Sequence, residues 1–347
     1  MTASNESIDE ALEDAAAEPQ GLRTYLIPFL DRFGILIVIL VMGLVLYALQ
    51  PEVFFTWRNI TNIFKQTAVN AMLAIGMFLA ILTAGIDLSV GSVLALGMMS
   101  LAVANASGVA WPVVLVLGPL VGLAAGFVNG VGITKLRMPH PFIMTLGMLF
   151  MARGLANLVS GGVPYSGLPD PVRFLGSAQI HLGDWDGTRL NLPVSLIATI
   201  TVYFLFWVLL QHTVLGRRIY AIGGNPQAAR VSGINVDGVL IIVYSLCGLM
   251  AGFAGLLMAG RTNSGFPNAG MGAELEAIAA VIIGGASFFG GRGTVLGIFG
   301  GVLVMGLIKN GLNLNNVSVF WQQILIGMII VVAVFLDVMR REVGTRK

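Results

Sequence analysis

Asp87 and Ser89, in the stretch GIDLSVGS (85–92), put a carboxylate and a hydroxyl between two long apolar runs. A charge at membrane depth is costly unless it is paired, solvated or set at a helix end. Asp87 therefore has three readings: a group beside the positive N-terminal end of the helix that follows, a group in a translocation path, or a simple loop charge. Glu274, with Glu276 two positions on, admits the same readings in GAELEAIAA (272–280). Arg153, in FMARGLANL, either snorkels to the interface or pairs with Glu274 or Glu276. Asn157, like Asn70 and Asn129, either lines a path or hydrogen-bonds between helices.

A second cluster has another character. Residues 212–238 read HTVLGRRIYAIGGNPQAARVSGINVDG, too specific in glycine, asparagine and proline for a mere tight turn. After Gly223 and Gly224, Asn225 is placed to begin a short helix, with Pro226 at its first position. Ala228, Ala229 and Gly233 give that helix a small, close-packing face, and Arg230 adds a charge. Apolar small residues in a charged loop suit docking to another protein.

Much chemistry is missing. None of the four lysines (Lys65, Lys135, Lys309, Lys347) has the glycine context of a phosphate-binding loop. The single cysteine, Cys247, lies in an apolar run and can form no intrachain disulfide. His140, His181 and His212 are dispersed, so no metal site is expected, and no serine has a convincing histidine partner.

The elements that must position these residues follow from composition. Of the 347 residues, 56% are hydrophobic and 10% charged, against about 25% charged in a soluble domain. The 45 glycines suit packed membrane helices. A net charge of +2 gives no hint of a nucleic-acid partner. The expected fold is an all-α integral membrane protein, since about 20 apolar residues cross the hydrocarbon and no alternating barrel pattern occurs. Spans are expected at about 34–50, 68–84, 90–107, 111–133, 141–160, 193–211, 239–260, 275–288, 294–309 and 321–338. That makes about ten transmembrane helices, with 275–288 short.

Residues 1–21 read as an acidic, disordered cytoplasmic tail; the first twenty hold six acidic residues and no basic one, unlike a signal peptide. Residues 22–347 form the polytopic domain. Lysine and arginine in the loops favour both termini inside, twelve against seven. Segment 161–192 then lies outside, facing an extracytoplasmic partner, and 212–238 lies inside. At an offset of 187 positions, Gly85, Asp87, Leu88, Gly97 and Ser100 match Gly272, Glu274, Leu275, Gly284 and Ser287. The two stretches open spans of opposite direction, which suggests an inverted internal repeat.

Taken together, 59–92, 141–156, 216–234 and 274–303 resemble the ribose-type family of ABC permeases, the membrane subunits of bacterial monosaccharide importers. The resemblance covers about residues 50–338. It implies an inner-membrane, lipid-embedded permease that imports a monosaccharide or small polyol and is no enzyme itself. It implies no cofactor on this chain; ATP and Mg are used by a partner cytoplasmic ABC ATPase. It further implies a periplasmic sugar-binding protein and a second permease copy or paralogue. In such a system 223–233 looks like the coupling helix. The rivals are an ion-coupled secondary transporter using Asp87 or Glu274, and a passive channel; neither needs an ATPase-docking loop.

Overall fold

The computed structural model describes residues 20–345 except Asp186, and side chains for 34–339 except those of Trp185, Asp186 and Thr188. The first nineteen residues of the acidic tail, with Arg346 and Lys347, lie outside the described residues. The helices in order are α1 (Gln20–Leu49), α2 (Trp57–Leu82), α3 (Val90–Ala106), α4 (Trp111–Lys135) and α5 (Pro141–Ser160). A short strand β1 (Tyr165–Ser166), helix α6 (Asp170–Ser177) and the hairpin β2 (Gln179–Trp185) and β3 (Thr188–Pro193) follow. Then come α7 (Val194–His212), α8 (Val214–Gly224), α9 (Pro226–Val231), α10 (Val236–Thr262), β4 (Ser264–Gly265), α11 (Ala273–Ile283), α12 (Val295–Leu314) and α13 (Val319–Thr345). Among the described residues seven helices are long and apolar enough to cross a membrane: α2, α4, α5, α7, α10, α12 and α13. Gly34–Leu49 and α3 are apolar but shorter. The chain is a multi-pass, all-α integral membrane protein, and its only sheets among the described residues are two-stranded.

Of the boundaries that differ from the sequence reading, two have a clear physical cause. The span expected at 68–84 begins at Trp57, where Thr56 caps the helix through Asn59 N–H. Its first turns, WRNITNIFKQT, are too polar to read as a span, but several of their polar groups are met inside the protein. Asn59 and Asn310 exchange amide hydrogen bonds of 2.8 and 3.1 Å, and Trp57 and Thr61 both donate to the Asn191 carbonyl on β3. The span expected at 275–288 ends at Ile283, because Gly285, Gly290 and Gly291 take positive φ and fold the chain back.

Helix α2 fixes the two ends of the molecule. At about 1.5 Å per residue its 26 residues run roughly 39 Å. The β2–β3 hairpin meets its start. At its other end the Leu82 carbonyl accepts from Gly291 N–H and lies against Gly223, at the end of α8. The core rests on a glycine seam between antiparallel α4 and α10, where Gly122 and Gly126 lie against the backbone of Gly248 and Gly252. Small residues let membrane helices gain backbone-level van der Waals contact where lipid offers no hydrophobic drive.

Candidate functional site

The polar residues singled out in the sequence fall into two separate places. The first is a junction of helix ends deep in the protein. After α2 the chain turns at Ala84, which takes a left-handed φ of 58°. It re-enters the protein, and α3 starts at Val90 with Ser89 as its N-cap. Asp87 is 1% exposed. Its Oδ1 accepts from the backbone N–H of Ser89 at 2.9 Å and from the Ser89 hydroxyl at 2.5 Å. The Asn129 amide, from α4, donates to Ser89 Oγ at 3.0 Å and reaches Asp87 Oδ2 at 3.4 Å. The carboxylate thus closes a local turn ahead of α3, where the unpaired N–H groups of the helix start favour negative charge. Two buried atoms beside this network have no hydrogen-bond partner among the described residues, Asn129 Oδ1 and the Tyr244 hydroxyl, the latter pressed against Gly85.

Glu274 does not repeat this geometry. It is the second residue of α11, whereas Asp87 precedes its helix by three positions. The two helix starts nevertheless meet, since Gly91 lies against the Gly270 carbonyl and the Glu274 carboxylate. From that point α3 runs toward the hairpin end, where Asn105 donates to the Gly167 carbonyl. Helix α11 runs the other way, so that Gly284 packs on Gly297 and Ile298 at the start of α12.

Arg153 forms no ion pair with Glu274 or Glu276 among the described residues. Its Nη1 donates to the carbonyls of Pro267 and Ala269, both at 2.7 Å, and so holds the loop that leads into α11. Glu274 lies within electrostatic range but forms no ion pair with it among the described residues. Glu276 is paired instead with Lys309 on α12, at 2.8 and 2.9 Å. That partnership was not read from the sequence. The available signal was two ionisable residues in apolar surroundings, which need partners. Asn157 donates to the Arg153 carbonyl one turn back in its own helix.

The second place is the α8–α9 loop. Asn225 caps α9, its side chain accepting from the N–H groups of Gln227 (3.0 Å) and Ala228 (2.9 Å), with Pro226 at the first helical position. Such a cap is worth about 1 kcal/mol. At the far end Gly233, at φ 81°, donates to the Arg230 carbonyl, and Ile234 donates to that of Ala229. This is the glycine-terminated helix stop in which a left-handed residue satisfies the last carbonyls. Arg230 pairs with Asp237 at 3.0 Å, both exposed.

Two residues of the docking face expected for this helix are buried instead. Ala229 is 5% exposed and belongs to the protein's own core, and Gly223 is buried against Leu82 and Gly291. Gly224, Asn225, Pro226, Ala228 and Gly233 face outward, together with Val231, which the sequence reading did not single out. Val231 is 91% exposed. Tyr220 anchors the base of the loop by donating to the Gly293 carbonyl at 2.9 Å. Burial between helices pushes its phenol pKa up, so the hydroxyl stays a donor.

Comparison with known proteins bears on both places. A family profile described as the permease component of the branched-chain amino acid transport system matches residues 59–334. The ribose import permease protein RbsC of Escherichia coli K12 is 43% identical over 87% of this chain and 92% of its own length. RbsC of Bacillus subtilis is 41% identical over 91% of this chain and 94% of its own. The galactose/methyl galactoside import permease protein MglC of Escherichia coli K12 is 37% identical over 89% and 94%. No solved structure matches. The matched region takes in the helix-end junction, the α8–α9 loop and every membrane helix from α2 to the greater part of α13, and on that extent the chain belongs to the ribose-type family of ABC permeases.

Proposed function

We propose that this chain is the membrane subunit of an ATP-binding-cassette importer that carries a monosaccharide or similar small polyol into the cytoplasm. ATP, with Mg, is hydrolysed on a separate ATPase. The family profile is described by amino-acid transport, but the relatives at about 40% identity are named for ribose and galactose import, and the sugar reading follows them. The observation that carries the mechanism is α9: a helix capped at both ends by local hydrogen bonds, displaying Ala228 and Val231. A stiff, protruding helix can seat in a partner's cleft and pass a rigid-body shift to the helices on either side. ATP binding would close the ATPase pair, move α9, and switch access from one side of the membrane to the other. A periplasmic sugar-binding protein and a second permease copy or paralogue complete the assembly.

The orientation rests on charge. Lys135, Arg137, Arg217, Arg218, Arg230 and Arg292 belong to segments at the α8–α9 end, which we place in the cytoplasm of a bacterial inner membrane with both termini. Ten membrane segments result when α1, α3 and α11 are counted. We read α3 and α11 as the two half-spans of an inverted repeat, supported by their meeting helix starts and opposite courses.

Asp87, with one oxygen taken twice by Ser89, serves as a fixed strut in this reading. Asp87→Asn then puts an amide donor among the donors of Ser89 and Asn129. The expected cost is about 1–3 kcal/mol, read as a lower thermal midpoint of the detergent-purified protein with ATPase association unchanged. Abolished assembly would show that Asp87 does more than hold the turn.

The function itself is tested by mild detergent purification from the native membrane, with co-purifying chains identified by mass. Recovery of an ATPase carrying a phosphate-loop sequence and of a sugar-binding protein is the expected result. A chain that arrives alone, and transports only under an imposed proton or sodium gradient, overturns it.

A further inference from the structure

Between α2, α10, α11 and α12 lies a cavity of about 410 Å³, within the range of small-molecule sites. Its polar lining comes from Gln66, Asn70, Arg261, Glu276, Lys309 and Asn313. Glu276 and Lys309 face each other there as a bidentate pair. Arg261, exposed at the cavity, has no acidic partner within 4 Å among the described residues. Two oxygens of lining residues, Thr67 Oγ1 and Asn70 Oδ1, are buried without a hydrogen-bond partner among the described residues.

The lining also says which chemistry fits. A sugar hydroxyl both donates and accepts, and this wall supplies acceptors in Glu276 and the amide oxygens and donors in Lys309, Arg261 and the amide nitrogens. Among the described residues no Phe, Tyr or Trp lines the cavity, so a nucleobase finds no face there on which to stack. The one carboxylate is already neutralised by Lys309, so nothing selects for a cationic ligand.

We propose that this cavity is a transit site for a neutral, hydroxyl-rich ligand of monosaccharide size, held by the Glu276–Lys309 pair and the amides of Gln66, Asn70 and Asn313. The assignment rests on the sugar-importer reading and adds to it a stopping place inside the permease. Binding there must be weak, since a ligand in transit has to leave.

The test uses the full chain in lipid nanodiscs, with D-ribose, D-galactose and adenosine as probes and saturation-transfer NMR as the readout. Saturable contact with at least one sugar and none with adenosine is expected. Glu276→Gln should weaken sugar binding about tenfold, the scale of a lost hydrogen bond to a charged group. Asn70→Leu should weaken it severalfold, and it removes an amide oxygen that has no partner in the fold, so the variant stays folded even if Glu276→Gln does not. No saturable sugar signal, equal competition by adenosine, or unchanged binding in Asn70→Leu overturns the proposal. Import by the assembled complex is measured separately. Import without sugar binding to the permease removes the transit site and keeps the importer; binding without import does the reverse.

Discussion

If α9 is the docking helix proposed above, Val231→Asp should separate this protein from a partner ATPase and leave it folded. Val231 is the last residue of α9 and 91% exposed, so the native fold gains almost nothing from it and loses almost nothing by its replacement. Burying a valine at an interface stabilises by about 1.5–3 kcal/mol. Forcing an unpaired carboxylate into the same dry contact adds several kcal/mol against association. The affinity of the ATPase should fall by a factor of roughly 100 or more, about 2.8 kcal/mol at the tenfold-per-1.4 kcal/mol scale. Co-purification of the ATPase and sugar-stimulated ATP hydrolysis in proteoliposomes should both be lost, while the thermal midpoint of the permease alone stays put. Ala228→Glu should act in the same direction. Ala229 is the wrong residue for this experiment, because it is buried in the chain's own core and a charge there damages the fold before it reports on docking. An ATPase that binds the Val231→Asp protein as tightly as the wild type would remove α9 from the interface.

The second large effect is on folding. Gly248→Leu should prevent accumulation of well-folded protein in the membrane. A Cβ at position 248 meets the backbone of Gly126 on α4, with its Cα at 2.8 Å and its nitrogen at 2.7 Å, as well as the Gly122 carbonyl. Backbone atoms cannot swing aside as a side-chain end can, so the two helices must part along the seam. Overpacking in cores costs about 1–3 kcal/mol even where side chains can relax, and here they cannot. The purified variant should aggregate on size exclusion or melt at least about 5–10 °C lower, at roughly 2–4 °C per kcal/mol for a chain of this order of size. Gly147→Ala is the matched control: that glycine lies in α5 with nothing within 4 Å of an added Cβ, and alanine is the better helix former by about 1 kcal/mol. A Gly248→Leu protein that melts with the wild type would mean that the α4–α10 seam is looser than its contacts indicate.

These expectations separate what is local in this protein from what is not. Composition and apolar run length determined the membrane class, because hydrocarbon leaves the backbone no partner but itself. The start of α9 was equally legible, whereas Gly233, read as part of the helix face, lies beyond its last residue and ends it. Asn225 and Pro226 act on backbone groups a few residues away, so their effect needs no knowledge of the rest of the fold. The polar start of α2 was not legible, since what makes WRNITNIFKQT tolerable is Asn310 and the Asn191 carbonyl, more than a hundred residues away. Nor were the partners of Arg153 and Glu276. A guanidinium or a carboxylate in apolar sequence announces that it needs a partner, but carbonyls at 267 and 269 and an ammonium at 309 are chosen by packing alone. Helices such as α3 and α4 are apolar nearly all round, so no amphipathic stripe in the sequence says which face turns inward. Tertiary structure alone decided that Ala229 points into the core and Ala228 away from it. It alone, too, gathered Asn70, Glu276 and Lys309 from three helices onto one cavity wall.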